Sequence, residues 1–148
     1  DRIKDTDNTV YMFGGAPGVA EKAAEEMRKK YPGLKIVGIH DGYFDAKEEK
    51  NIIADIKEKK PSLLLVGLGS PKQEKWIYDN YKKYDAKVSI CAGATVDFLA
   101  GNMNRAPKWM SEHGLEWFYR FTQEPKRMFK RYFIDDVKII KLIRKYRR

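Results

Sequence analysis

The chain has 148 residues, of which 43% are apolar, 13% aromatic and 34% charged; this is enough for one domain with a real core and short for two. Such a composition excludes a disordered chain, and no apolar run approaches the ~18 residues of a membrane-spanning helix. The net charge of +9 is uneven: ten Lys/Arg and three Asp/Glu fall in residues 124–148, a +7 stretch behind a near-neutral body.

The chain opens on Asp1 rather than Met, which reads as a processed product or a piece of something longer, and residues 1–9 read as a polar lead-in. One cysteine, Cys91, excludes an internal disulfide and fits a reducing compartment. Val10–Phe13 is a short apolar run ending in Gly14-Gly15-Ala16-Pro17-Gly18. An Ala- and charge-rich helical segment over about 19–30 stops at Tyr31-Pro32-Gly33. Lys35–Ile39 is β-branched and ends in His40-Asp41-Gly42-Tyr43-Phe44. Asp45 with Glu48 is a capping-box signature, predicting a helix to about Lys59. Leu63–Val66 ends in Gly67-Leu68-Gly69-Ser70, and Pro71 opens a helix to about Tyr84. Lys87–Cys91 is a fourth strand, followed by Ala92-Gly93-Ala94-Thr95.

Short apolar strands alternating with helices predict an α/β fold with a Rossmann-like parallel sheet, covered on both faces. Ligands of such sheets sit at the carboxyl ends of the strands. Each end here carries glycine, so backbone N–H groups and helix N-termini can approach an anion. Beyond residue 100 the strands stop. Helical segments open at Arg105-Ala106-Pro107 and Gly114-Leu115, and Glu124-Pro125 precedes a last helix. The predicted organisation is a core over 1–104 and a helical appendage over 105–148.

On a wheel at about 100° per residue, residues 126–148 place Phe129, Phe133, Val137, Ile140 and Ile143 on one side and most lysines and arginines on the other. Three readings of this basic amphipathic helix stay open: packing on the domain, lying on an anionic membrane surface, or binding nucleic acid. The aromatics lie mostly opposite the basic residues, which favours lipid over phosphodiester.

Several motifs carry chemistry. Gly14-Gly15-x-x-Gly18 resembles half of a dinucleotide fingerprint, and Asp41 is the acidic residue that could complete it. A tight turn explains the glycines as well. In Ser70-Pro71-Lys72-Gln73, Ser70 is expected as N-cap, Pro71 at N1 and Gln73 at N3, with Gln73 available to a substrate. Asp97 is expected to cap a helix or to accept hydrogen bonds from a base or sugar. His40 and His113 stand alone and read as structural. Asp5-Thr6-Asp7 has the spacing of metal-dependent sugar transfer, but lies before the first strand. No His/Cys cluster has metal-ligand spacing, and no nucleophile elbow is present.

The blocks Gly67-Leu68-Gly69-Ser70-Pro71-Lys72-Gln73-Glu74-Lys75-Trp76, Phe98 with Ala100-Gly101, Arg105-Ala106-Pro107 and Gly114-Leu115-Glu116-Trp117-Phe118-Tyr119-Arg120, with Glu124-Pro125 and Arg127, resemble the WecG/TagA/CpsF glycosyltransferase family. Gly42-Tyr43-Phe44 is a further match, and the resemblance runs over about 10–131. It implies inverting, metal-independent transfer of N-acetylmannosamine or a related sugar from a UDP donor. The implied acceptor is a polyprenyl-diphosphate-linked N-acetylglucosamine at the cytoplasmic membrane face, in teichoic acid or surface polysaccharide synthesis. No cofactor is implied, and the protein would be cytoplasmic and peripheral on the membrane's inner face.

Carried over by residue, the resemblance makes Gln73, Arg120 and Arg127 the candidate catalytic residues, with the arginines neutralising the departing diphosphate. Gly14, Gly15, Tyr43, Gly69, Lys72, Gln73, Glu74, Asp97 and Arg105 are candidate substrate-binding residues, joined by Lys130 and Arg131, between which the third appendage cation stays open. The family's catalytic aspartate lies in a Pro-Asp-Gly segment before its first Gly-Gly turn, and nothing in residues 1–13 matches it. The chain is therefore expected to lack the general base and to be inactive alone. Expected partners are the UDP-sugar, the lipid-linked acceptor, an anionic membrane surface and, through the aromatic-rich segment 109–121, a second copy, but not nucleic acid. The other class of reading is a non-catalytic nucleotide- or nucleic-acid-binding module with a basic tail.

Overall fold

The computed structural model describes residues 7–103, 106–123 and 125–129, without the side chains of Arg120, Lys126 and Arg127. Asp5 and Thr6, Arg105, Lys130, Arg131 and the predicted basic helix beyond Phe129 lie outside the described residues. The chain divides into two compact units, Asp1–Asn104 and Arg105–Arg148.

In the first unit, strands and helices alternate. Strand β1 spans Thr9–Gly14, helix α1 Val19–Lys30, β2 Lys35–His40 and α2 Ala46–Lys59. Then come β3 Leu63–Gly67, α3 Lys72–Asn80, β4 Val88–Cys91 and the short α4 Thr95–Leu99. The strands form one parallel four-stranded sheet in the order β2-β1-β3-β4, a Rossmann-like arrangement. Because β2 lies on one side of β1 and β3 and β4 on the other, the order reverses between β1 and β3. That switch point is where a crevice opens at the carboxyl ends of such sheets.

Strand alternation divides the core between two faces. Val10 and Met12 meet Ala20, Ala23 and Ala24 of α1 and Val96 and Ala100 at α4. Tyr11, Phe13, Leu64 and Val66 face the other way, onto Ile52 and Ile56 of α2, Trp76 of α3, and Tyr84. The i, i+3, i+4 spacing of the three alanines and the i, i+4 spacing of the isoleucines put each set on one helix face. Helix α2 starts as its sequence predicts. The Asp45 carboxylate accepts from the backbone N–H of Lys47 and Glu48 at 2.7 and 2.8 Å, and Glu48 accepts from Asp45 N–H at 3.0 Å.

Three expectations fail locally. Ser70 does not cap α3: Pro71 occupies the N-cap position, with no side-chain cap. The first turn is held by backbone instead, Gln73 N–H donating to Gly69 O at 2.9 Å. The helix also ends at Asn80, not near Tyr84. Asn80 hydrogen-bonds back to Trp76 O at 3.0 Å and Lys83 N–H closes a tighter turn on Asn80 O at 2.8 Å, so the side chain competes with the helical ladder. Finally, the sheet is not covered throughout. Val88 and Ile90 of β4 are 52% and 46% exposed, because β4 is an edge strand paired only with β3 among the described residues.

The second unit is helical: α5 spans Lys108–Glu112, α6 Glu116–Gln123 and α7 Pro125–Phe129. Met110 and Met128 are buried, while Trp109, Trp117, Phe118 and Phe129 are exposed. No described helix is long and apolar enough to cross a membrane.

Candidate functional site

The loops after the four strands form a rim laced together by backbone. Gly42 N–H donates to Gly15 O at 2.8 Å and Gly15 N–H to Gly67 O at 3.1 Å. Gly93 N–H donates to the Gln73 side-chain oxygen at 2.9 Å, and Gln73 opens the helix that follows β3. Loop by loop, the rim therefore runs from β2 across β1 and β3 to β4.

Glycine is required here for two separate reasons. At the switch point the backbones are in contact: a Cβ on Gly14, whose φ is +139°, would lie 2.4 Å from Gly67 C and O. Farther out, Gly69 and Gly93 have φ of +77° and +54°, and a Cβ on either would meet nothing within 4 Å. Those two turns leave open space above the rim, where a ligand can come close to main chain.

Gln73 is buried at 5% exposure and engaged on both sides. Its oxygen takes Gly93 N–H, and its amide nitrogen donates to Glu74 Oε1 at 2.9 Å. The side chain thus clamps the β3 and β4 loops, leaving one amide hydrogen for anything above. Glu74 is exposed, and its carboxyl is held below its usual range by the Gln73 amide first, with its own backbone N–H and Ser70 adding to this. It is a fixed anion on the rim, suited to accept from hydroxyl groups and unsuited to lie against a phosphate. Cys91, at the end of β4, has its thiol pushed up by burial and then by the Glu74 charge, so it stays protonated at neutral pH.

Lys72 leans across to the β2 loop, with Nζ 3.2 Å from Gly42 O and 4.5 Å from the centre of the Phe44 ring. Tyr43 is 71% exposed beside it. Asp41, the acid that could have completed a dinucleotide fingerprint, instead accepts from Tyr43 N–H at 2.7 Å in a local turn. His40 packs edge-on to Phe13 with Nδ1 3.0 Å from Asp41 O, a structural placement. Asp97 is not a cap: it lies within the first turn of α4, where Ala94 holds the N-cap position, and its backbone oxygen accepts from Asn102 N–H at 3.0 Å.

The first unit therefore brings Gly14, Gly15, Gly69, Lys72, Gln73 and Glu74 onto one rim, with Tyr43 on the adjoining β2 loop. Gly42, Gly67 and Gly93 complete that rim; the sequence marks them as glycines at strand ends and does not place them among the candidate substrate-binding residues. Arg120 lies on α6 and Arg127 on α7 in the second unit, with side chains outside the description. Among the described residues no three His, Cys, Asp or Glu side chains gather as metal ligands.

A helix-opening block after a Gly-x-Gly turn, laced into such a rim, agrees with what the whole chain matches: residues 1–148 fit the family model described as "Glycosyl transferase WecG/TagA/CpsF family". The chain belongs to this glycosyltransferase family. It is 34% identical over 119 residues to the N-acetylglucosaminyldiphosphoundecaprenol N-acetyl-beta-D-mannosaminyltransferase of Bacillus subtilis (strain 168), a match covering 80% of this chain and 45% of that protein. A protein of the same description from Bacillus spizizenii (strain ATCC 23059 / NRRL B-14472 / W23) is 30% identical over 127 residues, 86% of this chain and 49% of that protein. The chain spans about half the length of these curated relatives. As a WecG/TagA/CpsF chain it carries the Lys72-Gln73-Glu74 block on the switch-point rim, while the appendage arginines belong to the other unit.

Proposed function

We propose that this chain is the donor-binding and membrane-facing part of an inverting, metal-independent transferase. In this reading it moves N-acetylmannosamine or a related sugar from UDP to a polyprenyl-diphosphate-linked N-acetylglucosamine at the cytoplasmic face of the membrane, in teichoic acid or surface polysaccharide synthesis. The observation that carries the reading is the open main chain at Gly69 and Gly93 beside the clamped Gln73. The UDP lies over these turns, with backbone N–H groups toward its diphosphate. Gln73 and Glu74 address hydroxyls of the donor, and Asp97 lies on the helix that follows the β4 turn. Arg120 and Arg127, with Arg105 and Lys130 or Arg131, supply positive charge as the diphosphate departs. The exposed Trp109, Trp117 and Phe118 and the +7 stretch face an anionic lipid surface. No residue in 1–148 is assigned as general base, so binding without turnover is expected of this chain alone.

Titration with UDP tests the rim. Amide signals of residues 14–15, 67–69 and 93 should shift and saturate, and Gly69→Val should weaken binding at least tenfold, since its turn would be both filled and strained. UDP that binds without moving these signals, or equally well to the variant, would sink the donor site. Anionic vesicles should sediment the full chain and not a version ending at Glu124. Should nucleic acid displace those vesicles at about 150 mM salt, the module with a basic tail becomes the better reading.

A further inference from the structure

A depression lined by none of the rim glycines lies between α2 and α3. It has a volume of about 360 Å³, and its walls include Phe44 and Glu49 on one side and Lys75, Asp79 and Lys83 on the other, with Lys72 at the end nearest the rim. That volume is within the range of small-molecule sites, roughly 300–1,000 Å³. On α3, Lys72, Lys75 and Asp79 follow the i, i+3, i+7 spacing of one helix face.

The polar groups of this groove are arranged in a way that a merely solvated helix face does not need. Asn80 is buried at 3% exposure and stands between two opposite charges. Its amide donates to Glu49 Oε1 at 3.3 Å, and its oxygen accepts from Lys83 Nζ at 2.7 Å. Glu49 and Lys83 are thus each held by a neutral amide. Nor do the groove's lysines pair with its carboxylates: the ion pairs among the described residues are Lys29–Glu26, Lys35–Asp7, Lys59–Asp55 and Lys60–Asp85. Two carboxylates and three ammonium groups line one groove without neutralising one another.

The geometry points to a binding site for a hexose phosphate in this groove, with Lys72 and Lys75 taking the phosphate and Glu49 and Asp79 accepting from sugar hydroxyls. The mixture of signs selects the class. Lys72 and Lys75, three residues apart on α3, are neighbours on one helix face and can share one anion. The carboxylates repel a polyphosphate or a nucleic-acid backbone, but are good acceptors for the O–H donors of a sugar. This inference does not rest on the transferase reading: apart from Lys72, which also belongs to the rim, the groove's lining lies outside the residues assigned to the donor, and its occupancy is read with no transfer.

The test is an amide-shift titration of the full chain with glucose 1-phosphate, inorganic phosphate and glucose, each run with and without UDP. Glucose 1-phosphate should saturate at about 1–10 mM, the weak end of the affinity scale, moving signals of residues 49, 75, 79 and 83 whether or not UDP is present. Lys75→Glu should weaken it at least tenfold, and Asp79→Asn several-fold while leaving inorganic phosphate unchanged. Equal affinity for inorganic phosphate and glucose 1-phosphate would remove the sugar half of the assignment. Shifts confined to residues 14–15, 69 and 93, or binding indifferent to Lys75→Glu, would overturn the site itself. The folded state of each variant is checked by its unperturbed β-strand signals, and both substitutions lie on exposed residues.

Discussion

The two faces of the sheet solve the same packing problem with opposite materials. Under α1 and α4 the contact is made of small side chains: Ala20, Ala23, Ala24 and Ala100, with Val96, against Val10 and Met12. Under α2 and α3 large side chains make it, Ile52 and Ile56 of α2 together with a set of rings, Phe13 lying 4.8 Å from Trp76 and 5.4 Å from Phe44, with Trp76 stacked on Tyr84 at 5.6 Å. Small residues let a helix lie close and leave little space. Rings bring polar atoms into the interior, and two of them, Phe44 and Trp76, line the groove between α2 and α3.

The sharpest way to break this contrast is to remove a ring and to add bulk to the alanines. Phe13→Ala deletes a fully buried ring that touches three others, and should cost about 3–5 kcal/mol by urea denaturation. Ala23→Leu on the opposite face should cost about 1–3 kcal/mol by overpacking, because Ala23 is fully buried within the α1 cluster. If Ala23→Leu proves neutral, the α1 face is not close-packed and the contrast fails.

A smaller effect separates the polar content of the ring face. Tyr11 is buried and its hydroxyl donates to Asp55 Oδ2 at 2.7 Å, while Lys59 Nζ lies 2.8 Å from Asp55 Oδ1. Burial, then the hydrogen bond to Asp55 and its charge, raise the Tyr11 phenol above its ordinary 10.0. A phenol raised on folding contributes stability that is complete below pH 10.0 and is lost as pH climbs past it. Asp55 has the opposite sign. Burial opposes its ionisation, but hydrogen bonds from Lys59 and Tyr11 outweigh this and lower it below 3.8, so its contribution holds above that pH and fades below. Tyr11→Phe should cost about 1–2 kcal/mol at neutral pH and flatten the alkaline limb of a stability–pH curve. An unchanged alkaline limb would mean that Tyr11 is not the group responsible.

How much of this was legible depended on how local the determining interaction is. The capping box of α2 and the glycine ends of the strands were readable, because each is settled within a few residues. The family blocks were readable for the same reason, and with them Lys72, Gln73 and Glu74. Ser70 misled because a Ser-Pro start is a general preference, whereas here Gly69 O holds the first turn of α3. The exposed edge at β4 was not legible, since Lys87–Cys91 has the same apolar look as the inner strands and only long-range pairing decides which strand is outermost. The Gly93–Gln73 clamp, and the Glu49–Asn80–Lys83 chain, join residues 20 and 31 positions apart or bury a polar amide that sequence pattern assigns to the surface.

The least costly change should be the most informative about the ring face. Trp76 is 5% exposed, and its indole Nε1 is buried with no hydrogen-bond partner among the described residues. An unpaired buried donor costs about 1–3 kcal/mol, so part of the stabilisation from burying this large ring is offset by its own N–H. Trp76→Phe removes that donor while keeping a ring between Phe13 and Tyr84. The lost area and the relieved donor then act in opposite directions, and the net change should stay within about 1 kcal/mol, far below Phe13→Ala on the same face. Urea midpoints of the two variants measured together decide the matter. A loss near 3 kcal/mol for Trp76→Phe would mean that the indole N–H has an energetic partner, and the groove wall it forms would then be a polar surface and not only the back of an aromatic core.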